Sequence, residues 1–85
     1  MNNYHIVREG NGLICRVSYR VTSPNTSLLS LITTVETKIC GCGGKLSRVK
    51  STPNLDVVML IIDTPIRVPE EAPLVASCLN SALNT

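Results

Sequence analysis

The apolar run at residues 57–62 constrains the fold of this chain more than any other segment. Its six residues are far fewer than the roughly 20 that a membrane-spanning helix requires. In an extended strand the run is apolar on both faces, which is typical of a strand with neighbours on each side. The run therefore predicts a strand in the middle of a sheet, over residues 55–63.

Residues 13–21 alternate between apolar and polar side chains, which predicts a second long strand. One face consists of Leu13, Cys15, Val17, Tyr19 and Val21, and the other consists of Ile14, Arg16, Ser18 and Arg20. The first face is expected to enter the core, and the second to meet solvent or a partner. A strand over residues 4–9 is expected to precede it through a three-residue turn, and another strand is expected over residues 45–51.

Apolar residues recur at helical spacing in two further segments. The first stripe comprises Leu28, Ile32, Val35 and Ile39, and the second comprises Val75, Cys78, Leu79 and Ala82. Ser23 or Asn25 is expected to cap the first helix, and the glycines after Cys40 are expected to end it. The second helix is expected to start between residues 69 and 73.

The predicted element order is therefore β-β-α-β-β-α. Its simplest packing is an α+β domain in which a four-stranded, mostly antiparallel sheet carries both helices on one face. From Leu13 onward the order strand–helix–strand–strand–helix resembles that of ferredoxin-like and ACT-like domains, and the additional first strand would take an edge. At 85 residues the chain is expected to form a single domain.

Cys40 and Cys42 are separated by a single residue in the glycine-rich segment 39–44 and are weak candidates for a soft-metal or redox site. Zinc normally takes four ligands, but His5 is the only histidine and there is no second cysteine pair. We therefore predict no metal and no cofactor. The polar residues 1–5 lack the apolar core of a signal peptide. All four cysteines, including Cys15 and Cys78 in the core, are therefore expected to be reduced in a cytoplasmic protein.

Cationic side chains are expected on the sheet face that the helices leave open. The candidate partner-binding residues are Ile14, Arg16, Arg20, Lys45, Arg48 and Lys50. Such a face would suit an acidic protein surface. Nucleic acid is the weaker expectation, because the net charge is only +2 and the two tyrosines are the only aromatic residues available for base stacking.

No catalytic pair or triad is evident, so we predict a protein that is not an enzyme. The main expectation is a small cytoplasmic inhibitor or adaptor of another macromolecule, similar to those encoded by phages and mobile elements. It would be either a single chain or a homodimer, without membrane association. One alternative is an ACT-like dimer that senses a small metabolite near residues 23–26. A second is a thiol-based metal or redox protein that uses Cys40 and Cys42.

Overall fold

The structure is a computed structural model that describes residues 4–84. Its strands and helices are β1 (Tyr4–Glu9), β2 (Gly12–Thr22), α1 (Leu28–Ile39), β3 (Lys45–Ser51), β4 (Val57–Ile66) and α2 (Ala72–Leu83). One 3-10 turn follows α1 at Cys40–Cys42, and another precedes α2 at Pro69–Glu71. The predicted α+β class and the order β-β-α-β-β-α are confirmed.

The four strands form one antiparallel sheet in the order β1-β2-β4-β3. Strand β4 pairs with β2 and β3, so the apolar run is central, as predicted. Both β2 and β3 run antiparallel to β4 and hence parallel to each other, with α1 connecting them. This is the split β-α-β arrangement of ferredoxin-like domains. Strand β1 takes an edge, also as predicted.

Strand β4 continues beyond the predicted end at Asp63 and includes Pro65. Proline cannot donate a backbone hydrogen bond and is normally absent from central strands. The register explains its presence, because the pairing of β3 with β4 ends at the pair Lys45–Asp63, whereas the pairing with β2 continues to Ile66. Past Asp63, β4 is therefore an edge strand, where a proline is tolerated.

The core lies between one face of the sheet and the two helices. Its buried sheet residues are Cys15, Val17, Val58, Leu60, Ile62 and Ile66, and its buried helix residues are Val35, Ile39, Ala72, Leu79 and Leu83. Both helices thus pack on the same side of the sheet, as predicted. The opposite side carries neither helix.

Helix α1 begins later than predicted. Ser27 is the capping residue, and its Oγ accepts a hydrogen bond from the Ser30 N–H at 3.1 Å. Ser23 instead adopts a left-handed conformation with φ 51°, and its N–H donates to the Asp56 carbonyl at 2.7 Å. The prediction of Ser23 or Asn25 as the cap is wrong, because α1 begins only at Leu28 and both residues lie before the Ser27 cap.

The predicted glycine stop after α1 is confirmed. Gly43 is left-handed with φ 77°, and the Gly44 N–H returns to the Ile39 carbonyl at 3.2 Å. Gly44 also lies directly on the core, since a Cβ there would approach Ile62 Cγ2 to 3.0 Å. Only glycine fits this contact without displacing a buried side chain.

The hairpin between β1 and β2 is tighter than predicted. Glu9 pairs with Gly12, so the loop contains only Gly10 and Asn11. Gly10 has φ 57°, a conformation that glycine adopts without steric cost. Two-residue loops that start with glycine match the natural twist of a hairpin, which explains why Gly12 belongs to β2 rather than to the turn.

The cysteine predictions require correction. Cys42 and Cys78 form a disulfide with a Cα–Cα distance of 6.0 Å, which connects the turn after α1 to the middle of α2. The expectation of four reduced thiols is wrong, and Cys78 is an exposed residue on the flank of α2 rather than a core residue. Cys15 and Cys40 are free, the first buried and the second exposed. Reduced cysteines therefore no longer support the expected cytoplasmic location, because disulfides persist mainly in oxidising compartments.

Candidate partner-binding face

The side of the sheet opposite the helices is the candidate functional surface, which we call the open face. Residues directly opposite each other on paired strands share a face, so the strand register defines its members. These are His5, Val7 and Glu9 from β1; Ile14, Arg16, Ser18, Arg20 and Thr22 from β2; Val57, Met59, Ile61, Asp63 and Pro65 from β4; and Lys45, Arg48 and Lys50 from β3.

All six candidate residues lie on the open face. Arg16 and Lys45 flank Asp63, whereas Arg20 and Lys50 flank Met59. Arg48 lies opposite Ile61, and Ile14 lies opposite Pro65. The register of β3 shifts between Leu46 and Arg48, and this irregularity keeps both Lys45 and Arg48 on the same face. The register thus brings the six residues together, while their role in binding stays a prediction.

Arg16 is committed to an internal ion pair. Its Nε donates to Asp63 Oδ1 at 2.8 Å, and its Nη2 donates to Asp63 Oδ2 at 3.0 Å. The Asp63 side chain is only 15% exposed, and the hydrogen bond from Arg16 holds the pKa of its carboxyl below the ordinary value. A second carboxylate, that of Glu9, lies 3.8 Å from Arg16 Nη2. Asp63 is therefore the ion-pair partner of Arg16 within the sheet.

The remaining cations of the open face are not neutralised in this way. Arg20, Lys45, Arg48 and Lys50 are exposed. Within residues 4–84, no carboxylate forms an ion pair with any of these four side chains. They line β3 and the far end of β2, so positive charge borders the middle strand on both sides.

The middle of the open face is apolar. Val57, Met59 and Ile61 project from β4 on this side and are half-buried, as is Ile14 on β2. The β4 residues were missed as surface candidates, because an apolar run gives no sign that one of its two faces lacks a covering layer. The signal that identifies them is topological: both helices occupy the other side.

Two clefts cross the open face and its margin. The larger, about 490 Å³, is lined by Glu9, Arg16, Ser47, Arg48, Lys50, Ile61 and Asp63. The smaller, about 260 Å³, is lined by Lys50, Ser51, Thr52, Val57 and Met59. Neither includes the loop at residues 23–26, where an ACT-like domain was expected to bind a metabolite. Lys50 lines both clefts.

The two cysteines that were the weak candidates for a thiol site are not both free. The sulfur of Cys42 is bonded to Cys78, so Cys40 and Cys42 are not a pair of thiolate ligands. Within residues 4–84, no three His, Cys, Asp or Glu side chains are grouped closely enough to hold a metal ion. In this disulfide-bonded form, the weak candidates Cys40 and Cys42 therefore cannot act together as two thiolates.

No helix in residues 4–84 has the length and apolar character required to cross a membrane. Comparison of the chain with protein-family models, curated proteins and solved structures finds no match. The charge and shape of the open face are thus the observations from which a function can be inferred.

Proposed function

We propose that this chain is a small protein-binding domain that acts as an inhibitor or adaptor by covering an acidic surface of another protein. The observation that carries the proposal is the apolar middle of the open face, bordered by four cations that form no ion pair with a carboxylate of residues 4–84. A side chain such as Met59 is half-buried in the isolated chain and has further apolar surface to lose on contact.

An apolar centre with a charged border is the usual composition of a specific protein interface. Burial of Met59 and Ile61 would supply the affinity, while the surrounding charges would select an acidic partner and accelerate its approach. Lys50 contributes to both effects, because its alkyl stem can lie over Met59 while its ammonium group reaches outward.

Nucleic acid fits the open face less well than an acidic protein. The two tyrosines are the chain's only Phe, Tyr or Trp residues. Tyr4 lies opposite Val17 and Tyr19 lies opposite Leu60, so both belong to the helix-covered face. A sheet that binds single strands relies on base stacking against exposed rings, and the open face offers no tyrosine for this purpose.

The proposal does not involve catalysis, and it is compatible with the mode of action of inhibitors encoded by phages and mobile elements. A cytoplasmic site of action would require the Cys42–Cys78 disulfide to be dispensable or protected there, because cytosolic thiol systems reduce most disulfides.

The test is affinity capture with the wild-type chain and a double variant, Arg48→Gln/Lys50→Gln, which lowers the charge of the open face by two. The matched control is Thr34→Glu/Ser81→Glu, which lowers the net charge by the same amount at exposed helix positions. We expect a protein that wild type and control both retain and that the open-face variant loses.

Retention should decrease with added salt, because screening weakens attraction between exposed charges. Single-stranded RNA homopolymers form the second arm of the test. Equal loss of the captured protein in both double variants would contradict the proposal, as would RNA binding that is tighter than protein binding and depends on Arg48.

A further inference from the structure

The two edges of the sheet differ in how far they are protected from further pairing. Edge strand β3 contains the irregularity at Ser47 and presents Lys45, Arg48 and Lys50, and both features discourage the addition of another strand. Edge strand β1 carries the oppositely charged Arg8 and Glu9, but it pairs with β2 in unbroken register from Tyr4 to Glu9 and contains neither a bulge nor a proline. Strand β1 is therefore the edge that is open to pairing.

The hairpin loop determines which backbone groups of β1 point outward. A two-residue loop closes on a hydrogen-bonded pair, in this case Glu9 with Gly12, and hydrogen-bonded pairs then alternate along the ladder. Val7 and His5 therefore direct their N–H and C=O groups toward β2. Arg8, Ile6 and Tyr4 direct theirs away from the sheet.

We propose that two copies of this chain pair through β1, antiparallel, with Ile6 opposite Ile6 of the second copy. A two-fold axis perpendicular to the sheet keeps the helix-covered faces of both copies on the same side. Residues that lie opposite each other must then point to the same face, so an even-numbered residue of β1 can pair only with an even-numbered residue of the second copy. Pairing centred on Ile6 places Tyr4 opposite the second copy's Arg8 on both sides of the axis. Tyr4, Ile6 and Arg8, whose backbone groups point away from the sheet, then each lie opposite one of these same three residues in the second copy. If the register is shifted by two residues, one of the three has no such partner.

Side chains favour the same register. Ile6 is 43% exposed at the edge, and the two-fold axis brings both copies of this apolar side chain into contact. Tyr4 and Arg8 become cross-strand neighbours, a pair in which a guanidinium can pack on an aromatic ring. The dimer would contain one continuous eight-stranded sheet with both open faces on the same side. This proposal concerns a different surface from the open face and does not depend on its function.

The first experiment measures the mass of the whole chain in solution over a range of concentrations by sedimentation equilibrium. We expect the wild type to change from 9.2 kDa toward twice that mass as the concentration rises. Ile6→Lys places two like charges opposite each other at the axis, and we expect it to remain at 9.2 kDa under the same conditions. Circular dichroism establishes that this variant is folded.

The second experiment tests the register by cross-linking in a Cys15→Ala/Cys40→Ser background, which removes both the exposed free thiol and the buried thiol that lies directly opposite Ile6 on β2. Residues that face each other in a hydrogen-bonded pair have Cα atoms about 5.5 Å apart, within disulfide range. Ile6→Cys should therefore form a covalent dimer on mild oxidation. Arg8→Cys is the matched control, because its two copies would lie about 14 Å apart along the strands and should not cross-link.

A wild-type chain that stays monomeric throughout the concentration range would overturn the proposal. So would an Ile6→Lys variant that dimerises like the wild type, or Arg8→Cys that cross-links as readily as Ile6→Cys. If Ile6→Lys does not fold, the two cysteine variants decide the question on their own. Loss of partner capture by the open-face variants has no bearing on these outcomes, because they leave β1 intact.

Discussion

At the scale of single residues, Gly44 illustrates how a small side chain can be required by the core. A Cβ at this position would lie 3.0 Å from Ile62 Cγ2 and 3.3 Å from Leu79 Cδ2, and both of these side chains are fully buried. A close-packed interior gives them little room to move aside. We expect Gly44→Ala to lower the free energy of unfolding by about 1–3 kcal/mol, measured by urea denaturation.

Gly41 supplies the control for this substitution. It lies three residues earlier in the 3-10 turn, and a Cβ there would have nothing within 4 Å. Gly41→Ala should change the free energy of unfolding by no more than about 0.5 kcal/mol. Equal costs for the two substitutions would show that the contact with Ile62 is not the reason for a glycine at residue 44.

The Arg16–Asp63 ion pair makes the free energy of unfolding depend on pH, because it requires the ionised carboxylate of Asp63. The hydrogen bond from Arg16 holds the pKa of Asp63 below its ordinary value in the folded chain. The pair therefore stabilises the fold above the unfolded-state pKa of about 3.9, and this contribution is lost as the pH falls through the lowered folded-state pKa. We expect Asp63→Asn to lower the urea midpoint clearly at pH 7, and we expect its difference from the wild type to shrink as the pH falls below about 3.9.

Asp56→Asn is the matched control, because Asp56 forms no ion pair with any side chain in residues 4–84. Its urea midpoint should follow that of the wild type across the whole pH range. If Asp63→Asn and wild type differ by the same amount at pH 7 and near pH 2, the carboxylate charge is not what stabilises the pair.

The same residue shows what a sequence does and does not reveal. Alternation along β2 was sufficient to place Arg16 on the face opposite the apolar stripe, because parity alone determines the face of a strand residue. The partner of Arg16 was not predictable in this way. Asp63 is 47 residues away in the sequence and meets Arg16 only through the register of β2 against β4.

At the scale of elements, helical periodicity predicted both helices but not their boundaries. Ser23 is left-handed with φ 51°, whereas Ser27 has the extended conformation of a capping residue and begins α1. Periodicity also misplaced Cys78, which lies next to the buried Leu79 in the sequence but on the exposed flank of α2. A pairing with Cys42 requires the packing of α2 beside the turn after α1, which no local pattern encodes.

The Cys42–Cys78 disulfide is expected to contribute substantially to the stability of these elements. It joins residues 36 positions apart and so restricts the unfolded chain. We expect reduction to lower the free energy of unfolding by about 2–4 kcal/mol. Thermal unfolding with and without reductant measures this loss, and thiol titration of the denatured, unreduced chain should detect two free thiols, Cys15 and Cys40.

Two variants separate the disulfide from other effects of the reductant. Cys40→Ser should lose as much stability on reduction as the wild type, because Cys40 is free and exposed. Cys42→Ser/Cys78→Ser should be insensitive to reductant and should resemble the reduced wild type. Four titratable thiols in the unreduced wild type would mean that the disulfide does not form in solution.

At the scale of the whole molecule, one apolar run largely determined the architecture. A strand that is apolar on both faces is typical of the middle of a sheet, and β4 lies between β2 and β3. Composition did not indicate that only one face of β4 would be covered. That asymmetry follows from both helices packing on the same side, and it leaves Met59 and Ile61 at the surface.

This asymmetry predicts that charge and apolar contact affect different steps of partner binding. With the captured partner, Arg48→Gln/Lys50→Gln should slow association on the order of tenfold at low salt and flatten its salt dependence, because exposed charges act mainly on diffusional encounter. Met59→Ser/Ile61→Ser should leave association nearly unchanged and accelerate dissociation, because truncating buried contacts acts mainly after docking. Biolayer interferometry at several salt concentrations measures both rates, and Thr34→Glu/Ser81→Glu controls for net charge. An association rate that does not change with salt would show that the partner binds elsewhere on the molecule. A dissociation rate that Met59→Ser/Ile61→Ser leaves unchanged would show the same.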